Sequence, residues 1–302
     1  MIPIIYQNKV NALLGLGKRE NLMAYRKRDL ELLKKLSQEI GITIFNALHF
    51  EDLAEKERLE QELSMGRQIQ MSLLPLSAPV ISNLLLQGMT MPAREIGGDY
   101  YDFIVLPKEN NLAIVIGDVS GKGVAAGLCM AMVKTSVHIF ARNETSPKQI
   151  LVHINQVLNQ HIGGEKFMTM LYLIWDADNS TIHYSSAGHE HILVYRKETR
   201  SVDVIQSGGT ILGIIDDIDP FLEEKNIRLE PGDKVLLYTD GVTEAHNTIK
   251  ERFGLERLAQ SFKNNIQRDS QDLIQAVKSD VNTFIGDSFQ YDDITLVALE
   301  AQ

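Results

Sequence analysis

The chain has 302 residues and a formal net charge of −10, with 44% hydrophobic and 23% charged residues. That is the balance of a soluble globular protein with room for one large domain and an appendage. The acidic excess argues against a general nucleic-acid surface, and the single cysteine, Cys129, excludes an intrachain disulfide. Neither an 18-residue apolar span nor a basic-then-apolar leader is present, so no membrane span and a cytoplasmic location are expected.

Apolar residues 2–6 and 10–16, separated by Gln7-Asn8-Lys9, predict a hairpin too small to bury its own face. Residues 27–74 contain no proline and predict one helix, roughly 70 Å long at 1.5 Å per residue. Leu30, Leu33, Ile40, Ile44 and Ala47 keep a three-four spacing. After a charged stretch, residues 51–62, the seam changes phase to Leu59, Leu63, Ile69 and Leu73. A seam with a phase change reads as a signalling linker that forms a homodimer; the alternative is a helix packed along its own domain. Gly66 is a weak point in it, costing about 1 kcal/mol relative to alanine, and Pro75 ends it.

Strands are expected at 84–88 and 99–106, with a turn at 107–111 into a further strand at 112–119. A helix at 124–142 is expected to turn Ala125, Ala126, Leu128, Met132 and Val133 toward a sheet, and a second at 147–162 carries proline in its first turn. Short turns link strands at 167–175, 181–186, 191–196 and 202–206, which predicts an antiparallel meander. A glycine-rich stretch at 207–213 and an acidic loop at 216–224 precede a strand at 233–239. Helices at 252–267 and 271–285 then lead to a last strand at 294–299. Strands in the centre with paired helices point to an α+β layered sandwich.

The chemistry lies in aspartates at strand ends. Asp99 stands in Arg94-Glu-Ile-Gly-Gly-Asp99-Tyr-Tyr-Asp102, and Asp118 in Gly117-Asp118-Val119-Ser-Gly-Lys-Gly123. Asp240 follows Val235-Leu-Leu-Tyr-Thr, and Asp292-Asp293 precedes Ile294. Any one of them suits a turn or cap. Brought together they would repel unless cations lay between them. Oxygen-only ligands suit Mg²⁺ or Mn²⁺, and about four carboxylates balance two such ions. The Gly117–Gly123 stretch is not a nucleotide P-loop, being one residue short with Gly123 where Ser or Thr should stand. No Cys-x5-Arg loop supports cysteine phosphatase chemistry, and Cys129 reads as a core residue. His189 and His191 lack the further ligands of a zinc site and read as structural, and Trp175 reads as core.

These segments, with Ser186-Ala-Gly-His189 and Tyr238-Thr-Asp240-Gly-Val-Thr-Glu244, resemble in order the metal-dependent type 2C serine/threonine protein phosphatases. The likeness is to their bacterial sporulation and sigma-factor regulatory branch and runs from about Pro75 to Leu299. It implies two antiparallel sheets face to face, covered outside by helices, and two divalent cations. It implies that Asp118 bridges them with the Val119 carbonyl on one, that Asp240 and Asp292 hold the other, and that Asp99 acts directly or through water. Asp293, which the resemblance also counts among the metal-binding residues, stands where eukaryotic members commonly have asparagine. Arg94, five residues before Asp99, matches a phosphate-binding arginine, with a surface salt bridge as the alternative. The implied substrate is a phosphorylated STAS-type anti-sigma-factor antagonist. A catalytically silent partner-binding module and a hydrolase of small phosphate esters are the competing readings. Residues 1–26, with Tyr25 to Leu30 and the helix after them, resemble the end of a GAF sensor domain. The expected division is therefore a truncated sensor remnant at 1–26, a linker at 27–74 and a phosphatase domain at 75–302.

Overall fold

The computed structural model describes residues 1–6, 9–19, 23–107, 111–162 and 164–302. The chain divides into two compact units, Met1–Met65 and Gly66–Gln302.

In the first unit, strands β1 (Ile2–Tyr6) and β2 (Lys9–Leu14) pair antiparallel. Gln7 and Asn8 of the expected turn lie outside the described residues. Helix α1 (Lys27–Leu73) has 47 residues and begins where expected. The Arg26 amide donates to Asp29 Oδ2 at 3.0 Å, and Arg19 pairs with the same carboxylate at 3.0 Å. An acidic side chain in the first turn also complements the helix dipole. The hairpin covers the helix at Gly41, where a Cβ would approach Ile4 Cγ2 at 3.1 Å, and Tyr6 packs on Phe45 with ring centroids 4.5 Å apart. Elsewhere the helix leaves Leu32, Leu36, Ile40, Leu48, Leu53 and Leu59 exposed.

The second unit contains the last turns of α1 and the expected α+β sandwich. One five-stranded sheet comprises β4 (Asp99–Val105), β5 (Asn111–Val119), β6 (Met168–Asp176), β7 (Thr181–Ala187) and β10 (Lys225–Arg228), in the order β10-β7-β6-β5-β4. The other comprises β3 (Leu84–Met91), β8 (Ile192–Arg196), β9 (Ser201–Ile205), β11 (Lys234–Tyr238) and β12 (Ile294–Ala301), in the order β3-β12-β11-β8-β9. Every strand pair is antiparallel. Helices α2 (Val124–Phe140) and α3 (Pro147–Ile162) belong with the first sheet. The short α4 (Asp240–Thr243), α5 (Gly254–Asn264) and α6 (Ser270–Ile285) belong with the second.

Strand alternation explains why the central strands read as unbroken apolar runs. Val235, Leu237, Val297 and Leu299 join the core shared with the first sheet, while Leu236, Tyr238, Leu296 and Ala298 join a second core with Phe262, Leu273 and Val277 of the helices. Successive side chains point to opposite faces, and both faces are covered. Trp175 and Cys129 are core residues, as expected.

Two expectations are corrected and one strand is added. The four central strands are not one meander: β6 and β7 pair in one sheet and β8 and β9 in the other, so the turn after Ala187 crosses between sheets. Gly188 adopts φ +66° there, and a short connection has the same length whether it closes a hairpin or changes sheets. In α2, Ala125 and Leu128 are exposed, and Ala126, Cys129, Met130, Val133 and Val137 form the buried face. Nearly every position of that helix is apolar, so its composition alone does not select a face. β10 was not foreseen; its sequence, Lys-Asn-Ile-Arg, buries only Ile227, as suits an edge strand.

Replacing Trp175, fully buried in the shared core, with alanine is expected to cost about 3–5 kcal/mol. Urea denaturation would show this as a lower midpoint. A loss under about 1 kcal/mol would contradict a close-packed core at that position.

Candidate metal centre

The antiparallel register sets the site. Asp99, first residue of β4, is the Cα partner of Asp118 near the end of β5, so two carboxylates sit side by side at one sheet end. Asp240 opens α4 directly after β11, and Asp292 and Asp293 lie just before β12, the neighbour of β11. Both sheets therefore deliver their aspartates to the same end of the sandwich.

The hydrogen bonds divide these residues by environment. Asp99 is 5% exposed, and its Oδ2 accepts from Thr239 Oγ1 at 2.9 Å and Thr295 Oγ1 at 2.5 Å, both from the opposite sheet. Asp293 is equally buried and fully engaged by backbone: Oδ1 accepts from Ala93 N and Oδ2 from Gly98 N, each at 2.7 Å. It therefore holds the loop before β4 in place. Asp292 is more open; its Oδ1 accepts from Asp293 N at 2.9 Å and lies 3.1 Å from Lys122 Nζ. The Val119 carbonyl faces Gly98, where a Cβ would lie only 2.6 Å from it. A side chain at Gly97 would strike Asp293 Oδ2, and one at Gly241 the Asp293 carbonyl. The loops can close on one another only because these positions are glycine.

Arg94 stands exposed on the same loop and makes no ion pair among the described residues. The alternative of a surface salt bridge is thus not seen there. His189 is buried beside the site, its Nδ1 2.9 Å from the hydroxyl of Thr169, which is the register partner of Asp118. Burial pushes its pKa down to about 4, so the ring is neutral. Cys129 is the opposite of a nucleophile, its thiol pushed up to about 11 by burial.

Several residues that hold this centre escaped the sequence reading. Gln70, near the end of α1, clasps the peptide of Gly97: its Nε2 donates to the carbonyl at 2.7 Å and its Oε1 accepts from the amide at 3.0 Å. Nothing in a long polar helix marks such a glutamine. Thr239 and Thr295 carried a weak signal, being adjacent to or within the quoted motifs. Lys122 lay inside one.

The electrostatics show what the arrangement lacks. Burial, then the charges of Asp240, Asp292 and Asp293, push Asp118 up to about 8. Burial, then Asp292, Glu244 and Glu190, push Asp240 up to about 6. Asp99 is raised as well, by burial first and then by Asp118. Among the described residues no three His, Cys, Asp or Glu side chains close tightly enough to cage an ion as they stand. The carboxylates are near enough to oppose one another's ionisation without forming a finished coordination shell. An all-oxygen donor set under this repulsion fits hard divalent cations.

The crowding has a consequence for stability. A carboxyl whose pKa is raised on folding holds more protons folded than unfolded, so stability falls as pH rises from the unfolded value of about 4 toward the folded one. The cation-free protein is therefore expected to melt at a lower temperature at about pH 8 than at about pH 5. Asp118→Asn and Asp240→Asn should flatten that slope. A melting temperature that climbs over this interval would refute the crowding.

Residues 108–302 match the family described as Stage II sporulation protein E (SpoIIE). The chain is 29% identical over 246 residues to phosphoserine phosphatase RsbU of Bacillus subtilis (strain 168), covering 81% of this chain and 71% of that protein. It is 30% identical over 266 residues to protein IcfG of Synechocystis, covering 79% of this chain but only 41% of that one. Among solved structures, the SiaA-PP2C domain of Pseudomonas aeruginosa superposes with a TM-score of 0.72 at 19% identity, over 82% of this chain and 98% of that domain, a likeness of fold. The chain thus belongs to the Stage II sporulation protein E family, and its larger unit is a PP2C-type protein serine/threonine phosphatase domain.

Proposed function

We propose that the chain hydrolyses phosphoserine or phosphothreonine on a signalling protein, with two divalent cations, Mn²⁺ or Mg²⁺. What carries this reading is the delivery of Asp99, Asp118, Asp240 and Asp292 by both sheets to one end of the sandwich, where Asp118 and Asp240 are pushed to about 8 and about 6. Asp118, the Val119 carbonyl, Asp240, Asp292 and, directly or through water, Asp99 would hold the cations. Bound there, they would supply Lewis acidity toward water and the phosphoryl group.

The remaining work belongs to the chain's own residues. Thr239 and Thr295 fix the Asp99 carboxylate, while Asp293 and Gln70 fix the loop on which Gly97 and Gly98 lie. Asp293 therefore acts in this reading as the organiser of the site more than as a ligand. Arg94, exposed and without an ion pair among the described residues, would meet a phosphate arriving from solvent. The kinship to a phosphoserine phosphatase supports a phosphoprotein substrate, and the family likeness points to a STAS-type antagonist. A catalytically silent module is disfavoured because no expected carboxylate is missing. Among the described residues no helix is long and apolar enough to cross a membrane.

We further infer that residues 1–26 belong to a sensor module and that residues 27–74 form a dimeric linker. Its exposed leucines support self-association, and the clasp of Gln70 on Gly97 gives its last turns a grip on the site.

Asp118→Asn and Asp240→Asn are each expected to lower turnover of a phosphoprotein with Mn²⁺ by at least about a hundredfold, with an unchanged circular dichroism spectrum. Near wild-type turnover in either variant at limiting Mn²⁺ would refute the assignment. Phosphopeptide, phosphoprotein and small-ester substrates, each with Mn²⁺ and then with chelator, separate the proposed activity from the competing readings.

For the linker, a rigid dimeric coiled coil fused upstream of Glu55 in successive heptad phases should give activities that rise and fall with phase. Equal activity in every phase would reduce α1 to a tether.

A further inference from the structure

One cation of the chain is already paired with this cluster. Lys122 Nζ lies 3.1 Å from Asp292 Oδ1 and also donates to the Tyr291 carbonyl. Among the described residues no other lysine or arginine is paired with Asp99, Asp118, Asp240, Asp292 or Asp293. The neighbouring Lys166 is directed elsewhere, to the Ser120 carbonyl at 2.8 Å.

The backbone around Lys122 is pinned on both sides. Ser120 exchanges hydrogen bonds with Phe167, its amide donating to the Phe167 carbonyl at 2.8 Å and its hydroxyl accepting from the Phe167 amide at 3.1 Å. The Gly123 amide donates to the Ile96 carbonyl at 3.1 Å. Between these anchors Gly121 and Gly123 take φ of +76° and +83°, a path that favours glycine on both sides of the lysine. The backbone on either side of Lys122 is therefore held, and rotation of its side chain is enough to take the ammonium away from Asp292. That side chain is 23% exposed and that of Asp292 36%, so both keep a route to solvent.

We propose that Lys122 is a built-in counter-ion that competes with the divalent cation for Asp292. It neutralises the carboxylate while the cation is absent and yields it when the cation binds. The proposal rests on the reading of Asp292 as a metal ligand. Its functional consequence is a threshold: the competition raises the cation concentration at which the site fills, and anything that draws Lys122 away lowers it. An exposed or half-buried ion pair is weak, so the competition is a matter of modest factors and stays reversible.

Mn²⁺ binding to the full chain, measured by titration calorimetry without substrate, tests this independently of turnover. Lys122→Met, which keeps the length and removes the charge, is expected to tighten Mn²⁺ binding about three- to tenfold. Lys122→Arg should stay within about twofold of the wild type because it keeps the charge, and Asp292→Asn should weaken binding. If Asp292→Asn weakens binding while Lys122→Met leaves it unchanged or weaker, the counter-ion proposal is wrong and the ligand assignment stands. If Asp292→Asn leaves Mn²⁺ affinity unaltered, both are wrong.

Discussion

Asp99 is buried at the end of β4, and its charge is answered by hydroxyls of Thr239 and Thr295 that belong to the other sheet. That contact joins the two halves of the sandwich at the point where negative charge is most concentrated. A buried carboxylate without donors is costly, and here the donors are available only when the sheets face each other in this register. The site is thus also a condition on the assembly of the fold.

From this follows a division of labour among five aspartates that look alike in the sequence. Asp293 is satisfied by backbone amides of the loop before β4 and behaves as a structural clamp. Asp118 and Asp240 are raised to about 8 and about 6, each by burial first and then by neighbouring carboxylates. Asp292, more open, has found Lys122. The cluster is stable enough to persist and unfavourable enough to attract positive charge, a combination suited to a centre that gains and loses cations.

The loop from Pro92 to Gly98 links this centre to the rest of its unit. Asp293 grips it at Ala93 and Gly98, and Gln70 grips it at Gly97 from the last turns of α1. The Gly97 peptide, two residues from Asp99, is thus joined by hydrogen bonds to the last turns of α1.

The sequence by itself determined most of the element order, a long helix over 27–74, the position of most strands and the aspartates at strand ends, because these are carried by local signals. They are hydrophobic period, proline and glycine punctuation, and carboxylates at the ends of apolar runs. It also excluded cysteine chemistry, since Cys129 lies in an apolar helix. Only the tertiary structure decided that the turn after Ala187 changes sheets, because a four-residue connection reads alike in both cases. It alone chose the buried face of α2, where almost every residue is apolar, and admitted β10 as an edge strand whose pairing, not its composition, makes it a strand. The roles of Gln70, Lys122, Thr239 and Thr295 came from it too. Each depends on a partner between 27 and 196 residues away along the chain, and side-chain hydrogen bonds over such separations leave no periodic trace in the sequence.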